Sequence, residues 1–253
     1  MTAPSPFDIS GRTAVVTGGG RGLGLGVTRA FLDAGCDVHV MARSPLPDDL
    51  VAYADTLGRT LVAHACDLGD EASVDRVGRE ILDAAEISIL VNNAGTQERY
   101  PAVDFPLEAW DRVVGVNLRS VFQTCQLFGR GMVERGHGAV INFASLLSFQ
   151  GGITVPAYAA AKGGVAQLTK ALCNEWSGKG VNVNAIAPGY MATDMNEALL
   201  ADQTRNAQIS VRIPAGRWGD PSDVGNVAVF LASPAAAYVH GQVLAVDGGW
   251  LAR

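Results

Sequence analysis

The stretch TAVVTGGGRGLG, Thr13–Gly24, decides how this chain is read: a β-branched run breaks into a glycine-rich turn and opens directly into a helical pattern. A strand, a turn without side chains and a helix N-terminus in immediate succession form a dinucleotide cradle, and this context says more than the glycines alone. Gly18 permits the tight turn, Gly22 leaves room for a pyrophosphate to approach the backbone, and Gly24 lets helix and strand pack closely. Arg21 and Leu23 complete the loop. The free N–H groups and positive end of the helix bind an anion without a lysine. No GK[ST] follows, which excludes a kinase-type phosphate loop.

Outward from that unit, short apolar runs alternate with helical ones. TAVVTG, CDVHVMAR, TLVAHACD, SILVNNAG, GAVINFAS, VNVNAIAPG and QVLAVDGG read as seven strands, several apolar on both faces, as strands buried between two helical layers are. Helical patterns lie near 22–34, 70–85, 106–135, 155–178 and 221–233. The order predicts an α/β fold, a single domain over 1–253 built on a doubly wound, mainly parallel seven-stranded sheet of the Rossmann type. Right-handed crossovers put all the strand ends on one edge, where ligands bind. Polar or glycine-rich sequence follows five of these strands: Thr17–Gly24, Asp67, Asn92–Gly95, Ser145 and Pro188–Thr193. An irregular excursion over about 190–217 is a candidate substrate lid.

Bulk properties narrow the class. The chain has 253 residues, 48% hydrophobic and 17% charged, enough for one large core. Its net charge of −6 and lack of a basic run exclude a nucleic-acid surface. MTAPSPFDIS has neither a positive nor an apolar signal region and reads as a short disordered lead, and nothing approaches a membrane span. Cys36, Cys66, Cys125 and Cys173 are far apart, and His39, His64, His137 and His240 are isolated in sequence, so no metal site is expected. The composition points to a reduced, cytoplasmic enzyme.

Two further features suggest chemistry. Tyr158 and Lys162 stand four apart in YAAAK and so share a helix face, where an ammonium favours the phenolate of its neighbour. At the end of the second strand, where an acidic residue would read the ribose 2′-hydroxyl of NAD, the chain has Ala42 and Arg43. A guanidinium there, with Arg21 as a second clamp, favours NADP and leaves NAD open.

Taken together, TGGGRGLG, NNAG, Asn117, Ser145, Tyr158 with Lys162, and PGYMAT resemble the classical short-chain dehydrogenase/reductase family nearly end to end. The resemblance implies that Asp67 and Leu68 frame the adenine. Asn93, Ala94 and Gly95 would line the cofactor, and Pro188, Gly189, Met191 and Thr193 would bracket the nicotinamide. It implies Tyr158 as general acid/base, Lys162 as its pKa-lowering neighbour and ribose ligand, Ser145 as substrate partner and Asn117 as holder of a relay water. No metal is needed for such hydride chemistry.

LLSFQGGITVPAYAAAKGGV, RIPAGRWGDPSD and AVDGGWLAR are similar to the family's sugar-acid dehydrogenases, which act on gluconate or deoxy-gluconates. That implies a small polyhydroxylated acid. Arg99 is the leading candidate anchor for its carboxylate, with Gln150 and Arg212 behind it, and Trp250 could face sugar hydroxyls from a neighbouring subunit. The alternative within the family is a 3-oxoacyl-acyl carrier protein reductase, which needs a basic docking patch not evident here. A non-catalytic dinucleotide-binding regulator is a distant third. Family members are usually homotetramers; the helices near 106–135 and 155–178 suit either subunit packing or intrachain core.

Overall fold

The computed structural model describes residues 5–253, and the first part of the predicted N-terminal lead lies outside the described residues. The elements are β1 Thr13–Thr17, α1 Gly22–Asp33, β2 Asp37–Ala42, α2 Asp48–Thr56, β3 Leu61–Ala65, α3 Glu71–Ala84 and β4 Ile89–Asn92. There follow α4 Leu107–Val114, α5 Ser120–Arg135, β5 Gly138–Phe143, α6 Pro156–Trp176 and β6 Val181–Pro188. The last are α7 Glu197–Ala201, α8 Gln203–Ser210, α9 Pro221–Ala232 and β7 Val243–Val246.

All seven strands pair in parallel in the order β3-β2-β1-β4-β5-β6-β7. The order reverses between β1 and β4, so the switch-point crevice opens over the ends of those two strands, as the doubly wound reading requires. The inner strands β1, β2, β4, β5 and β6 bury both faces, while the edge strands β3 and β7 are partly exposed. Val16, Val38, Val40 and Ile89 pack toward α1 and α9, while Val15, Met41, Leu90 and Val140 pack toward α3 and α5. A two-sided apolar core is why the strand sequences do not alternate.

Four local features differ from the sequence expectation. Residues 5–10 are not a loose lead: Ala235 N–H donates to Pro6 O at 2.7 Å, Phe7 lies 6.3 Å from Phe230 and Ile9 is buried. The helix α2 lies in a stretch with little apolar periodicity; Asp48 and Asp49 in its first turn favour the helix dipole, and only Leu50 and Ala54 are buried. The excursion after Thr193 is largely helical, with α8 started by the Asp202 carboxylate accepting from Thr204 N–H and Arg205 N–H at 3.0 Å each. The histidines are not all isolated. Parallel pairing of β2 with β3 stacks His39 on His64, Nδ1 to Nε2 2.9 Å, and burial lowers the pKa of both. Among the described residues, no group of three or more metal-ligating side chains is assembled.

Thr154, just before α6, has φ of 64°, where a β-branched residue is strained. It is held there by Tyr100 N–H donating to its carbonyl at 3.1 Å. Thr154→Asn, which suits the left-handed region better, is expected to stabilise the fold by about 0.5–1 kcal/mol. A chemical denaturation midpoint that fails to rise would show that no strain is stored there.

Candidate active site

The sequence elements predicted to carry chemistry all converge on the carboxyl edge of the sheet. Thr17, which the sequence reading used only as the start of the loop, is the hub of the crevice: its hydroxyl accepts from Asn93 N–H and Ala94 N–H at 3.0 Å each. Asn93 Nδ2 returns bonds to the carbonyls of Thr17 at 3.0 Å and Gly18 at 3.2 Å. The Asn93 side chain therefore braces the glycine loop from within the protein. A Cβ at Gly24 would lie 2.1 Å from Gly18 O and 2.5 Å from Asn93 Nδ2, so only glycine fits. Gly22, at φ 52°, is different: a Cβ there would meet nothing nearer than Thr193 at 3.8 Å. Glycine at this position leaves an opening between the loop and the segment after β6.

That opening fits an anionic dinucleotide. Arg21 at the head of α1 makes no side-chain cap, and no carboxylate lies in the first turn, so the helix end is left for a ligand. Arg21 and Arg43 are exposed. Asp67 is exposed and its Oδ1 accepts from Gly69 N–H at 2.9 Å, whereas Leu68 is buried in the core below it. On the far wall Pro188, Gly189 and Tyr190 are half-buried, and the buried Met191 pairs with Gly219 in an isolated bridge.

Ser145 follows β5 and heads a short 3-10 turn, its hydroxyl accepting from Leu147 N–H at 3.2 Å. Ser148 ties that turn to α6, donating its hydroxyl to Lys162 O at 2.7 Å. Pro156 starts α6, so Tyr158 stands in its first turn and Lys162 one turn later. Lys162 is 2% exposed; its Nζ donates to Phe143 O at 2.6 Å and lies 5.7 Å from the centre of the Tyr158 ring.

The electrostatics differ from the simple sequence picture, in which the ammonium alone would bring the phenol down. Burial raises the Tyr158 pKa, and hydrogen bonding with Ser145 works against that rise. Burial pushes Lys162 down to about 8. Both shifts have one cause: a dry pocket penalises whichever form is charged. Lys162 still carries its proton at neutral pH, and Ser145 is the group that most directly favours the phenolate.

Asn117 sits on a π-helical turn, Gly115–Arg119, that splits the helix predicted over 106–135. Its Nδ2 donates to Val113 O and to Thr96 O, both at 2.8 Å, and its Oδ1 accepts from Thr96 N–H at 3.3 Å. The side-chain amide takes the i−4 carbonyl that a regular helix would give to the backbone, which is what opens the turn. Asn117 is fully buried and packs under Gly95, where a Cβ would lie 2.7 Å from Oδ1. Its side-chain amide is thus spent on the Thr96 loop and the Val113 carbonyl.

A buried polar seam lies one layer below. Asn92 Nδ2 donates to Asn142 Oδ1 at 2.9 Å, Asn142 Nδ2 to Thr169 Oγ1 at 3.0 Å, and Thr124 Oγ1 to Asn92 Oδ1 at 2.7 Å. It binds together β4, β5, α5 and α6, the elements that carry the site. Its signal in the sequence is asparagine inside the apolar runs ILVN and VINF, since a buried amide must be paired.

Among the candidate substrate residues, Gln150 is half-buried after the Ser145 turn and Arg99 is exposed beside the Glu98–Arg112 ion pair of 3.0 Å. Trp250 is buried within its own chain, against Tyr190 at 4.7 Å and beneath Arg212 at 4.0 Å. A groove of about 650 Å³ lies at the opposite edge, lined by Arg12, Glu86, His137 and His240 among others, and takes no part in this cluster.

A family model described as enoyl-(acyl carrier protein) reductase matches residues 18–251. The chain is 48% identical over 247 residues to a 2-dehydro-3-deoxy-D-gluconate 5-dehydrogenase of Bacillus subtilis (strain 168), covering 98% of this chain and 97% of that protein. It is 37% identical over 251 residues to the gluconate 5-dehydrogenase of Gluconobacter oxydans (strain 621H), covering 98% of each. A crystal structure of a gluconate 5-dehydrogenase from Burkholderia cenocepacia J2315, in complex with NADP and tartrate, superposes with a TM-score of 0.91 at 37% identity, covering 98% of both chains. By fold, by the cluster at the sheet edge and by similarity along its whole length, the chain belongs to the short-chain dehydrogenase/reductase family.

Proposed function

We propose that this protein interconverts a secondary hydroxyl and a ketone on a sugar acid of the gluconate or deoxy-gluconate type, with NADP as the favoured cofactor. The observation that carries the reading is the 48% identity, over 98% of the chain, to a dehydrogenase of that substrate class. The reading is supported by Ser145 at the end of β5 and by Tyr158 and Lys162 on one face of α6, whose ring centre and Nζ are 5.7 Å apart. The Burkholderia relative holds NADP and the dicarboxylate tartrate, which supports both the cofactor and an acidic substrate.

The bound nicotinamide supplies the hydride acceptor or donor. Gly18, Arg21, Gly22, Leu23 and Gly24 would hold the pyrophosphate, and Arg43 with Arg21 the 2′-phosphate. Asp67 and Leu68 would flank the adenine, and Asn93 to Gly95 would line the middle of the crevice. Pro188, Gly189, Met191 and Thr193 would bound the nicotinamide, with Lys162 on its ribose. Tyr158 takes the proton from the substrate hydroxyl in oxidation and returns it in reduction. Ser145 holds the same oxygen by a hydrogen bond and steadies the charge that develops on it.

The segment over 190–217 is assigned as the lid over this pocket, with Gln150 on its floor. A homotetramer is supported by apolar side chains left exposed on α4 and α5, Leu107 at 75% and Phe122 at 47%. Cytoplasmic residence is supported by four free cysteines. Among the described residues no helix is long and apolar enough to cross a membrane.

A panel of sugar acids offered with NADP and NAD separately, followed by nicotinamide absorbance, tests the assignment. Turnover of a gluconate-type acid is the expected result; reduction of acetoacetyl thioesters with no activity on any acid would establish the carrier-protein reading in its place. In the same assay Arg43→Ala should raise KM for NADP about tenfold and leave KM for NAD nearly unchanged. Equal effects on both cofactors would remove Arg43 from the 2′-phosphate site.

A further inference from the structure

A sugar acid brings a carboxylate into a largely dry pocket, so the protein must supply a cation whose own hydrogen bonds are not already spent. We propose that Arg212, set over the Trp250 ring, is the cation that binds the substrate carboxylate; this rests on the sugar-acid reading above.

Within the lid, Arg205 on α8 is exposed and, among the described residues, has neither a side-chain partner nor an aromatic ring beneath it, and other arginines are already committed. Arg217 pairs with Asp223 at 2.7 Å, Arg112 with Glu98 at 3.0 Å, and Arg253 donates to Val211 O at 3.0 Å. Among the described residues, the Arg212 side chain has no ion pair and no hydrogen bond. It has a platform instead: its guanidinium carbon lies 4.0 Å from the centre of the Trp250 ring. Stacking fixes the plane of the fork while leaving its N–H edge free, the state in which a guanidinium grips a carboxylate with two parallel bonds. Arg99 offers charge without such a platform.

The platform is built into the site. Trp250 is 4% exposed and shares an apolar cluster with Leu146, Ile209 and Ile213. Leu146 directly follows Ser145, Ile209 belongs to α8, and Tyr190, 4.7 Å from Trp250, lies between Gly189 and Met191. Arg212 is therefore carried on a cluster that joins the catalytic serine, the nicotinamide wall and the lid. A second observation comes from the ring beneath it. Trp250 Nε1 is, among the described residues, the buried side-chain polar atom left without a partner. Buried donors are nearly always satisfied, so this N–H is open to a partner that the described residues do not themselves supply. Because Arg212 follows α8 closely, gripping the carboxylate would also draw the lid onto the substrate.

Steady-state kinetics of Arg212→Gln, Arg212→Lys and Trp250→Leu test this. Arg212→Gln should raise KM for the sugar acid about tenfold or more while KM for NADP stays within about twofold. Arg212→Lys should lose less, keeping the charge without the fork, and Trp250→Leu should share the raised acid KM by freeing the guanidinium. An unchanged acid KM in an active Arg212→Gln enzyme overturns the proposal and leaves the sugar-acid function standing. So does a parallel rise in both KM values, which would mean that Arg212 only holds the lid in place. A wild-type enzyme that turns over no sugar acid would remove the function and this anchor together.

Discussion

Tyr158→Phe should lower turnover by at least about a hundredfold, because the substitution deletes the hydroxyl proposed as acid/base and little else. The ring is part of the first turn of α6, beside a buried Lys162, and phenylalanine preserves that packing. Binding of the dinucleotide, read by quenching of protein fluorescence or by calorimetry, should change by no more than about threefold, since the phosphate cradle around Gly18 and Gly22 is remote from the lost oxygen in sequence and is built by Thr17 and Asn93. The decisive comparison is with Ser145→Ala. Ser145 hydrogen bonding is what opposes the upward pull of burial on the phenol, so its loss should raise the Tyr158 pKa as well as lower the rate. A Tyr158→Phe enzyme with substantial activity would mean that another group moves the proton, and the site would have to be reassigned.

The sheet and its edge were legible because their causes are local. A two-sided apolar run needs cover on both faces, and a glycine turn between strand and helix has few other uses, so seven strands and the crevice followed from pattern. The less legible features depend on distant parts of the chain meeting. His39 and His64 are 25 residues apart and become neighbours only through the parallel register of β2 and β3. The break in the helix at Asn117 arises because its amide competes for Val113 O while also serving Thr96, a loop 21 residues earlier. Trp250 looked available to another subunit, and its place under Arg212 depends on how the C-terminal turn folds back on Tyr190. The Tyr158–Lys162 spacing was read correctly as one helix face, but the balance of charge in the pair was not, since spacing carries no information about burial.

That balance has a consequence for pH. In ketone reduction Tyr158 must be protonated, so the rate falls as pH rises through the phenol's pKa; in oxidation it must be ionised, so the rate rises through the same value. At neutral pH the Lys162 ammonium, 5.7 Å from the ring centre, favours the phenolate, and burial places its own loss of charge at about 8. Lys162→Met removes this charge at all pH values. With an effective dielectric near 20, a unit charge at that range is worth roughly 1–3 kcal/mol, so the phenol should rise by about one unit or more. Below about pH 8, where Lys162 is charged, the falling limb of reduction and the rising limb of oxidation should both move to higher pH; above it, where the lysine is already neutral, the wild type and Lys162→Met should converge. Oxidation at neutral pH should therefore drop about tenfold from the charge effect alone, and more where the lost ribose contact raises KM for NADP. Two limbs moving together is the signature of a shifted acid/base group. A variant that is slower with both limbs unmoved would show that Lys162 acts only through the cofactor and through Phe143 O, and that the phenol's ionisation is set by burial and Ser145 without it.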